Sequence, residues 1–439
     1  MAVDFLDELK WRGLLFQCTD EAGLRTHLAD AEAKAGGRRA YVGFDPTADS
    51  LTIGNLVPIM LLVHFQRAGH TPVVVMGGGT GLIGDPSGKS AERKLLTPEQ
   101  VGRNFQAQQG IFERIFEVAC QIEQRTRQLP VMRNNLDWLS KLSYIDALRD
   151  IGKHFSVNEM IKRESVRARL EEREHGISYT EFSYAILQAY DFLHLHQKHG
   201  VTLQMGGSDQ WGNIVAGADL IRRLGGEKAV SFGLTAPLVN KADGGKFGKT
   251  ESGAIWLTAE RTSPYAYYQF WLNAADADVF RFLRIFTLLP REEIEALERA
   301  HAADPGKREA QRALARAATD LLHGSSEAKA AEEKTSALFG GDSDGDFSLA
   351  ARELLNRPPD KVLARSELEG GPRSIVDILV LTGIAPSKRE ARTLLSAGAI
   401  AVNGKPVDLE STVTANDLIE GKMLAIRRGK KTWHCSIWT

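Results

Sequence analysis

Three polar side chains on one predicted helix have the spacing of a pocket wall. Tyr184, Gln188 and Asp191 stand at i, i+4 and i+7, so a helix brings them to one face. That spacing usually marks an apolar stripe that faces a core, but a phenol, an amide and a carboxylate are poor core residues. The three side chains therefore favour a polar binding pocket.

Two glycine-containing segments suit phosphate binding. In Tyr41–Asn55 a strand runs through a turn into a long apolar helix, whose free amides attract phosphate, and Gly54 lets a planar ring approach the backbone. A capped turn explains this segment alone equally well. The second segment, Gly244–Thr250, holds two lysines and a hydroxyl on a glycine hinge, which suits a loop that closes over a polyphosphate. Taken alone, it fits a solvated surface loop better.

Two other glycine motifs imitate nucleotide-binding signatures. Gly79–Gly84 matches the dinucleotide pattern G-x-G-x-x-G and follows a predicted strand. The next residues, Asp85–Lys89, include Pro86 and cannot open the apolar helix which that pattern requires. Gly84–Ser90 resembles a P-loop but is one residue short between its glycines. The sequence thus disfavours both a dehydrogenase and a P-loop enzyme.

The histidines and cysteines do not indicate a metal site. His194, His196 and His199 are not on one helix face, because i and i+2 point to nearly opposite sides and i+5 restores neither, so a surface position is favoured. The three cysteines are far apart in the chain and form no disulfide or zinc pattern. This cysteine usage predicts a cytoplasmic protein.

The composition is that of a soluble globular protein with two or three domains. The chain has 439 residues, of which 43% are hydrophobic and 25% charged, and this excludes collagen-like and wholly disordered chains. Its 55 basic residues nearly cancel its 56 acidic ones, so bulk charge identifies no partner. The N-terminus lacks a signal-peptide pattern, and the longest apolar run, Leu56–Val63, is too short to span a membrane.

The candidate phosphate and pocket residues lie on alternating strands and helices, up to about residue 240. The predicted strands are Arg39–Phe44, Thr71–Met76, Val201–Met205 and Gly233–Val239. The predicted helices are Leu56–Arg67, Pro98–Val118, Tyr144–Leu170, Tyr179–Gln197 and Trp211–Arg223. This alternation predicts an α/β fold with a Rossmann-like parallel sheet covered by helices on both faces.

The sequence pattern changes twice in the rest of the chain, from helical repeats to a tether and then to a basic segment. Apolar residues recur at helical spacing from Pro264 to Leu322, which predicts an all-helical region. Gly324–Gly345 has the composition of a tether, although Glu327–Leu338 could continue a helix. Gly371–Thr439 carries ten basic residues against six acidic ones. Its pattern predicts two helices, a hairpin turning at Asn403-Gly404, and a basic hairpin around Arg428.

Five motifs, in chain order, resemble those of bacterial tyrosyl-tRNA synthetases of class I. They are Tyr41–Asn55, Gly77–Arg93, Tyr179–Asp191, Gln204–Asn213 and Lys246–Thr250. The likeness is close over about the first 250 residues, and the C-terminal segment resembles the small RNA-binding domain that ends those enzymes. It implies three parts: a catalytic domain binding ATP and tyrosine (1–250), an α-helical domain on the anticodon side that ends in a tether (251–345), and a linker with a small α+β RNA-binding domain (346–439, core 371–439).

The resemblance also implies how tyrosine would be held. Asp191 would accept a hydrogen bond from the substrate phenol, and Tyr41 would donate one to it. The ammonium and carboxylate end is assigned to Asp85, Tyr184, Gln188 and Gln210. Phenylalanine would then be rejected because it leaves Asp191 buried without its donor, a discrimination for which this family is a known example.

The ATP side is implied in the same way. The ATP-binding candidates are Gly43, Asp45, Gly54, Gly207, Asp209 and Lys249, with Asp209 on the ribose hydroxyls and Mg²⁺ as the counter-ion of ATP. The candidate catalytic residues are Thr47, Thr52, Asn55, Lys89, Arg93, Lys246, Lys249 and Thr250. One departure stands out, because the family signature His-Ile-Gly-His is here Thr52–Asn55, without either histidine.

The sequence is therefore identified as a member of the tyrosine–tRNA ligases. We expect L-tyrosine, ATP and tRNA(Tyr) as its substrates and, by resemblance, a homodimer with its interface around Asn134–Phe155. The RNA-binding candidates are Lys388, Arg389, Arg392, Arg427 and Arg428. The alternative hypothesis is a synthetase-derived RNA-binding protein that has lost activation, as the missing histidines and the basic C-terminal segment would allow.

Overall fold

The chain forms two compact units, Met1–Ala328 and Lys329–Thr439. The structure is a computed structural model. It describes residues 4–30, 37–85, 96–124, 126–171, 176–226, 229–245, 247–250, 253–339, 359–429 and 432–439. None of the described helices is long and apolar enough to cross a membrane.

The first unit begins with a sheet and the helices that cover it. Its strands are β1 (Gln17–Cys18), β2 (Arg39–Phe44), β3 (Thr71–Met76), β4 (Val131–Asn134), β5 (Val201–Gly207) and β6 (Phe232–Ala236). The helices over the same part of the chain are α1 (Phe5–Arg12), α2 (Glu21–Ala29), α3 (Leu56–Arg67), α4 (Pro98–Ile122), α5 (Leu136–Leu139), α6 (Tyr144–Asp146), α7 (Val157–Ile161), α8 (Glu164–Glu171), α9 (Tyr179–His199) and α10 (Trp211–Gly225).

The six strands are ordered β1-β6-β5-β2-β3-β4. Strands β2 to β6 pair in parallel, and β1 adds an antiparallel edge beside β6. The chain builds outward from β2 to β4 on one side and from β5 to β6 on the other, so β2 and β5 flank a topological switch point. A binding crevice is expected at the carboxyl ends of strands at such a point. The predicted α/β class with a parallel sheet is confirmed.

The central elements agree well with prediction, and one predicted helix is wrong. Strands β2 and β3 and helix α3 have the predicted bounds, and α3 is buried on nearly all sides, which explains its continuous apolar sequence. The predicted helix Tyr144–Leu170 is broken by a π-turn at Ala147–Ile151 and by extended backbone at Phe155 and Ser156. Ser156 is the N-cap residue of the helix that follows, and its carbonyl oxygen accepts from Glu159 and Met160. Helical periodicity alone did not reveal these breaks.

The rest of the first unit contains a short hairpin and a helical region. The hairpin pairs β7 (Lys249–Thr250) with β8 (Gly253–Ala254). The helices that follow are α11 (Pro264–Leu272), α12 (Asp276–Phe286), α13 (Arg291–Ala303), α14 (Glu309–His323) and α15 (Ser325–Phe339), the last of which runs into the second unit. The predicted helical character from Pro264 onward is confirmed. The alternative of a helix at Glu327–Leu338 is also confirmed, whereas the rest of the predicted tether, 340–345, is outside the described residues.

The second unit is a small α+β domain around an apolar core. Its strands are β9 (Lys361–Leu363), β10 (Arg373–Ser374), β11 (Ile400–Val402), β12 (Lys405–Pro406), β13 (Thr412–Val413), β14 (Met423–Arg428) and β15 (Thr432–Trp438). Its short helices are α16 (Ser366–Glu369), α17 (Ile375–Leu381) and α18 (Lys388–Ser396). Asn403 and Gly404 have positive φ angles of 48° and 82°, the turn chemistry that the hairpin prediction required. Both predicted helices and both hairpins are present.

Candidate functional site

A cavity of about 520 Å³ opens at the carboxyl ends of β2 and β5, where the topology favours a binding crevice. Most of the predicted site residues line it, although they come from distant parts of the chain. They are Tyr41, Gly43, Asp45, Thr47, Thr52, Gly54, Asn55, Asp85, Tyr184, Gln188, Asp191, Gly207, Asp209 and Gln210. The fold therefore brings together fourteen of the predicted tyrosine- and ATP-site residues.

Asp191 is a buried carboxylate whose two oxygens are each held by a protein donor. Trp138 Nε1 donates to Oδ1 at 2.7 Å, and Asn135 Nδ2 donates to Oδ2 at 2.9 Å. Burial raises the pKa of Asp191 to about 7, against the lowering effect of these two hydrogen bonds. The carboxylate is thus oriented before any ligand arrives, and each oxygen keeps a lone pair that can accept a further hydrogen bond.

The phenol of Tyr41 complements this carboxylate. Its side chain is 1% exposed and packs on Phe192, and its hydroxyl has no hydrogen-bond partner among the described residues. Burial raises the pKa of Tyr41, and the Asp191 charge raises it further, so Tyr41 stays protonated. An unpaired buried hydroxyl is costly, and a ligand group that accepts from Tyr41 while donating to Asp191 would remove that cost.

Carboxylates and amides line the middle of the cavity. Asp45 Oδ1 accepts from Thr80 Oγ1 at 2.7 Å, and its Oδ2 accepts from the Tyr184 hydroxyl at 3.1 Å. Burial raises the pKa of Tyr184, as do the nearby charges of Asp45 and Asp85. Two acidic groups near one phenol make this part of the cavity suitable for a cationic ligand group such as an ammonium.

A chain of side-chain amides extends from the middle of the cavity to the end of β5. Gln210 Nε2 donates to Asp85 Oδ2 at 2.7 Å, and Asn213 Nδ2 donates to Gln188 Oε1 at 3.1 Å and to Gln210 Oε1 at 3.3 Å. Asp209 follows β5, and burial raises its pKa. These contacts restrict the orientations of Gln188 and Gln210, so they present defined donors and acceptors to the cavity.

The segment Thr52–Asn55 forms the start of α3, as the capped-turn interpretation predicts. Thr52 donates to Asn55 Oδ1 from both its backbone nitrogen and its hydroxyl, each at 3.0 Å. No described residue accepts a hydrogen bond from the side-chain amide nitrogen Nδ2 of Asn55, and Gly54 is exposed in the cavity. The cap and a ligand-binding role are therefore compatible, since the side-chain amide of Asn55 can still donate hydrogen bonds to a ligand.

Several predicted catalytic residues cannot be placed with their side chains. Lys89, Arg93 and Lys246 are outside the described residues. The backbones of Lys249 and Thr250 form β7, but their side chains are outside the description. The roles assigned to these five residues therefore stay predictions.

Sequence reasoning missed the residues that orient Asp191. Asn135 and Trp138 follow β4, a strand that was not predicted, and both are buried against the cavity. Asn135 Nδ2 also donates to Thr80 Oγ1 at 2.9 Å, which links Asp191 to the Asp45 group. Two adjacent asparagines and a tryptophan soon after Val131-Met132-Arg133 were the available signal. These residues belong to the segment predicted as a dimer interface, and this part of it faces inward.

The three histidines form no metal site. His194 stacks on Trp138 with a ring-centroid distance of 4.6 Å and an interplanar angle of 14°. Trp138 covers one face of the His194 ring, so His194 is half-buried and its predicted surface position holds only in part. Across the described ranges, no three or more His, Cys, Asp or Glu side chains are grouped to hold a metal ion.

The RNA-binding candidates in the second unit differ in how they are engaged. Lys388 pairs with Asp377 at 2.6 Å, and Arg428 pairs with Glu390 at 3.4 Å. The guanidinium of Arg427 lies 5.8 Å from the ring centroid of Trp433. Arg389 and Arg392 are exposed, and no described carboxylate pairs with either of them. These two arginines of α18 are thus the most available to an external phosphate.

Comparisons with known proteins identify the family of this chain. A family described as tRNA synthetases class I (W and Y) matches residues 34–340, and a tyrosine–tRNA ligase SYY-like C-terminal domain matches residues 360–436. The tyrosine–tRNA ligase of Geobacillus kaustophilus is 50% identical over 437 residues, covering 98% of this chain and 99% of the relative. The tyrosine–tRNA ligase of Roseiflexus castenholzii is 47% identical over 430 residues, covering 98% of both chains.

A solved structure extends the agreement to the fold. The C-terminally truncated mitochondrial tyrosyl-tRNA synthetase of Aspergillus nidulans superposes with a TM-score of 0.67 at 30% identity, covering 76% of this chain and 94% of that one. Identity near one half over almost the whole length, together with the matched catalytic and C-terminal domains, establishes the family. The chain is a member of the tyrosine–tRNA ligases, within the class I tRNA synthetases.

Proposed function

We propose that this tyrosine–tRNA ligase selects L-tyrosine through Tyr41 and Asp191. The observation that carries the proposal is the unpaired buried hydroxyl of Tyr41 beside a buried, pre-oriented carboxylate. A substrate phenol can accept from Tyr41 and donate to Asp191 at the same time, whereas phenylalanine can do neither. Leaving both groups unpaired is the physical basis of the selection.

The rest of the substrate would lie along the middle of the cavity. The ammonium donates three hydrogen bonds, and Asp85, Tyr184, Gln188 and Gln210 supply oxygens at that level. Asp45 was assigned to ATP from sequence. Its hydrogen bonds to Tyr184 and Thr80 support an added role here, because they hold its negative charge near the ammonium position.

ATP would occupy the outer part of the cavity. Gly43, Gly54 and Gly207 allow close approach of the nucleotide, Asp209 accepts hydrogen bonds from the ribose hydroxyls, and Lys249 would lie by the phosphates. Thr47, Thr52, Asn55 and the start of α3 supply neutral donors. Lys89, Arg93, Lys246 and Thr250 complete the proposed set of phosphate donors from sequence alone.

Activation needs no protein nucleophile. The tyrosine carboxylate attacks the α-phosphorus of ATP, the bond from that phosphorus to the bridging oxygen breaks, and pyrophosphate leaves. A hydroxyl of the terminal adenosine of tRNA(Tyr) then attacks the tyrosyl carbonyl carbon, and AMP leaves. The protein's contribution is positioning and the stabilisation of developing negative charge.

Magnesium would accompany ATP as the counter-ion of its phosphates. Because the described residues contain no grouped metal ligands, we assign no protein ligand to it. The three cysteines are free thiols, in keeping with the proposed cytoplasmic location.

Tyrosine-dependent exchange of labelled pyrophosphate into ATP tests the proposal. We expect exchange with tyrosine and far less with phenylalanine. Tyr41→Phe and Asp191→Ala should each lower exchange with tyrosine more than exchange with phenylalanine, because phenylalanine makes neither hydrogen bond. A wild-type protein without exchange that still binds tRNA would favour the RNA-binding alternative. Equal losses of exchange with both amino acids would show that the two residues have a structural role only.

We also propose a homodimer, with segment 144–161 in its interface. Five apolar side chains of this segment are exposed, among them Ile145 at 67%, and such a patch is typical of an interaction surface. The five are Tyr144, Ile145, Leu148, Val157 and Ile161. Light scattering should show a dimer that Ile145→Asp dissociates, whereas Leu224→Asp on α10 should leave it intact. A monomeric wild type at micromolar concentration would refute the proposal.

A further inference from the structure

The loop that leads to the two lysines of Lys246–Thr250 runs along one helix of the helical region. We propose that helix α12, Asp276–Phe286, is the platform that positions this loop, and that Phe247 is a positioning residue for tyrosine activation. The inference rests on the proposed function, because it concerns the phosphate side of the same cavity, which Phe247 also lines.

The first part of the loop is held by polar contacts with the start of α12. The backbone nitrogen of Ala242 donates to both carboxylate oxygens of Asp278, at 3.1 Å each. Arg281 donates to the carbonyl oxygen of Asn240 and, at 2.5 Å, to Asp278. Asp278 is 3% exposed, so this carboxylate is a buried acceptor for the loop backbone. Charge-assisted hydrogen bonds of this kind are among the stronger ones in proteins.

Farther along the loop, Phe247 inserts among the aromatic rings of the helical region. Its ring stacks on Phe286 at a centroid distance of 5.1 Å and lies 5.2 Å from Phe282. Phe270 and Trp271 of α11 are 5.8 Å and 6.0 Å away. Aromatic pairs at these distances add to the stabilisation from burial alone. Four neighbouring rings therefore define the position of this one side chain.

These contacts come from one face of α12. Asp278, Phe282 and Phe286 are spaced i, i+4 and i+8, so they lie along the same side of the helix. The carboxylate of Asp278 binds the loop backbone near the start of the helix, and the two phenylalanine rings pack on Phe247 near its end. Phe280 lies on a different side, where its ring contacts His301 at 5.2 Å. Phe280 is thus a matched control on the same helix that does not contact the loop.

The residue after Phe247 contacts the other phosphate motif. Gly248 has a φ of 76°, and a Cβ at this position would come within 2.3 Å of Ile53 Cγ2. Its carbonyl oxygen accepts from the backbone nitrogen of Ile255 at 3.0 Å, and Ile255 in turn accepts from the nitrogen of Ile53 at 2.9 Å. The described part of the loop therefore contacts both α12 and the Thr52–Asn55 segment.

This arrangement sets the spacing of the two ATP-side segments. Lys249 follows Gly248 directly, so a shift of Phe247 moves the backbone that carries the lysine. Misplacing a catalytic group by about 1 Å costs up to about 100-fold in rate. The groups that hold the tyrosine phenol belong to β2, α9 and the segment after β4, whereas the rings that pack on Phe247 belong to α11 and α12. Tyrosine affinity should therefore be insensitive to this anchor.

The test compares Phe247→Ala with Phe280→Ala in the full chain. We expect Phe247→Ala to lower the pre-steady-state rate of tyrosyl-adenylate formation about 10- to 100-fold while tyrosine affinity changes less than about twofold. Phe247→Leu, which restores apolar volume, should recover most of the rate. Asp278→Asn should lower the rate less, because it weakens the hydrogen bonds to the loop backbone but keeps a side chain of the same shape. Phe280→Ala should keep a rate within about twofold of wild type even where its melting temperature falls.

Hydrogen exchange of the backbone amides supplies a readout that does not need activity. The amides of Ala242 and Ile255, which donate to Asp278 and to the Gly248 carbonyl, should exchange faster in Phe247→Ala and stay unchanged in Phe280→Ala. Equal rate losses in the two alanine variants, or unchanged loop exchange in Phe247→Ala, would overturn the inference. A wild type without pyrophosphate exchange would instead refute the proposed function. The hydrogen-exchange measurement would still show whether α12 positions the loop.

Discussion

The proposed contact of Asp191 with the substrate phenol predicts binding that depends on pH near neutrality. Burial raises its pKa to about 7 in the ligand-free protein. Only the ionised carboxylate is a pure acceptor for the substrate phenol, so we expect tyrosine affinity to rise with pH. Phenylalanine offers no donor to the charge and should bind less well as the charge forms. Between about pH 6 and pH 8 the ionised fraction rises about tenfold, and the affinity ratio of tyrosine to phenylalanine should rise by at least that factor.

Calorimetric titration with both amino acids over this pH range measures the ratio. Tyr41→Phe serves as a control, because it removes the donor to the phenol without removing the group that titrates. That variant should bind tyrosine more weakly and keep the pH dependence. A flat ratio in the wild type would show that Asp191 does not titrate in this range or does not contact the phenol.

The side chains of Thr52 and Asn55 share one hydrogen bond, which makes their substitutions interdependent. Thr52→Ala and Asn55→Ala should each lower the rate of adenylate formation, by about 1 kcal/mol or about fivefold, and leave tyrosine affinity unchanged. Because Thr52 Oγ1 donates to Asn55 Oδ1, the double variant should lose less than the sum of the single losses. Unchanged rates in both single variants would reduce the segment to a structural cap.

At the scale of elements, Arg12 ties α1 to the end of α12. Its guanidinium is 1% exposed and donates to the carbonyl oxygens of Arg284, Thr287 and Leu289 at 2.8–3.0 Å, and to Glu8 at 2.7 Å. Arg12→Met would remove the donor from these three carbonyl oxygens, of which that of Thr287 is in a buried contact, while Glu8 would keep Arg67 at 3.0 Å. We expect a loss of about 3–5 kcal/mol in the free energy of unfolding.

Urea unfolding measures this loss, and Lys10→Met is the matched control. Lys10 belongs to the same helix and pairs with Glu21 at 2.5 Å, but both side chains are exposed. An exposed pair contributes about 0–1 kcal/mol, so the control should be nearly neutral. Similar losses in the two variants would show that the buried carbonyl contacts of Arg12 contribute little.

At the scale of the whole molecule, the second unit should hold tRNA without taking part in activation. A chain that ends at Gly345 removes all the strands of this unit together, because β9 pairs with β15 and must leave with it. We expect adenylate formation within about twofold of the full chain and a loss of at least about tenfold in kcat/KM for tRNA, since phosphate contacts disappear.

Aminoacylation and pyrophosphate exchange, assayed on the same preparations, separate the two steps. Arg389→Gln with Arg392→Gln in the full chain should weaken tRNA charging in the same direction and reduce its salt dependence, while Lys405→Gln on β12 serves as a charge control. A truncation that lowers both activities equally would make the unit a structural support.

Local sequence patterns determined the elements and most of the cavity's residue types. The periodicity of α3, the alternation of strands with helices and the Asn403-Gly404 turn depend on neighbours a few residues apart, so they could be predicted directly. The break within the predicted helix Tyr144–Leu170 could not be predicted in this way, because the apolar residues keep a helical spacing across the break. The short strand β4, Val131–Asn134, was also missed, because four residues carry little local signal.

Only the tertiary structure decided how the residues work together. Asn135 and Trp138 reach Asp191 across more than fifty residues, Asp45 reaches Tyr184 across 139, and Arg12 reaches Thr287 across 275. Each contact depends on strand order and helix packing, which bring together groups that are remote in sequence. The sequence by itself thus determined the fold class, the family and the chemistry available to the site. The packing decided which groups orient Asp191 and which helix supports the lysine loop, because those contacts exist only once the sheet and the helical region have assembled.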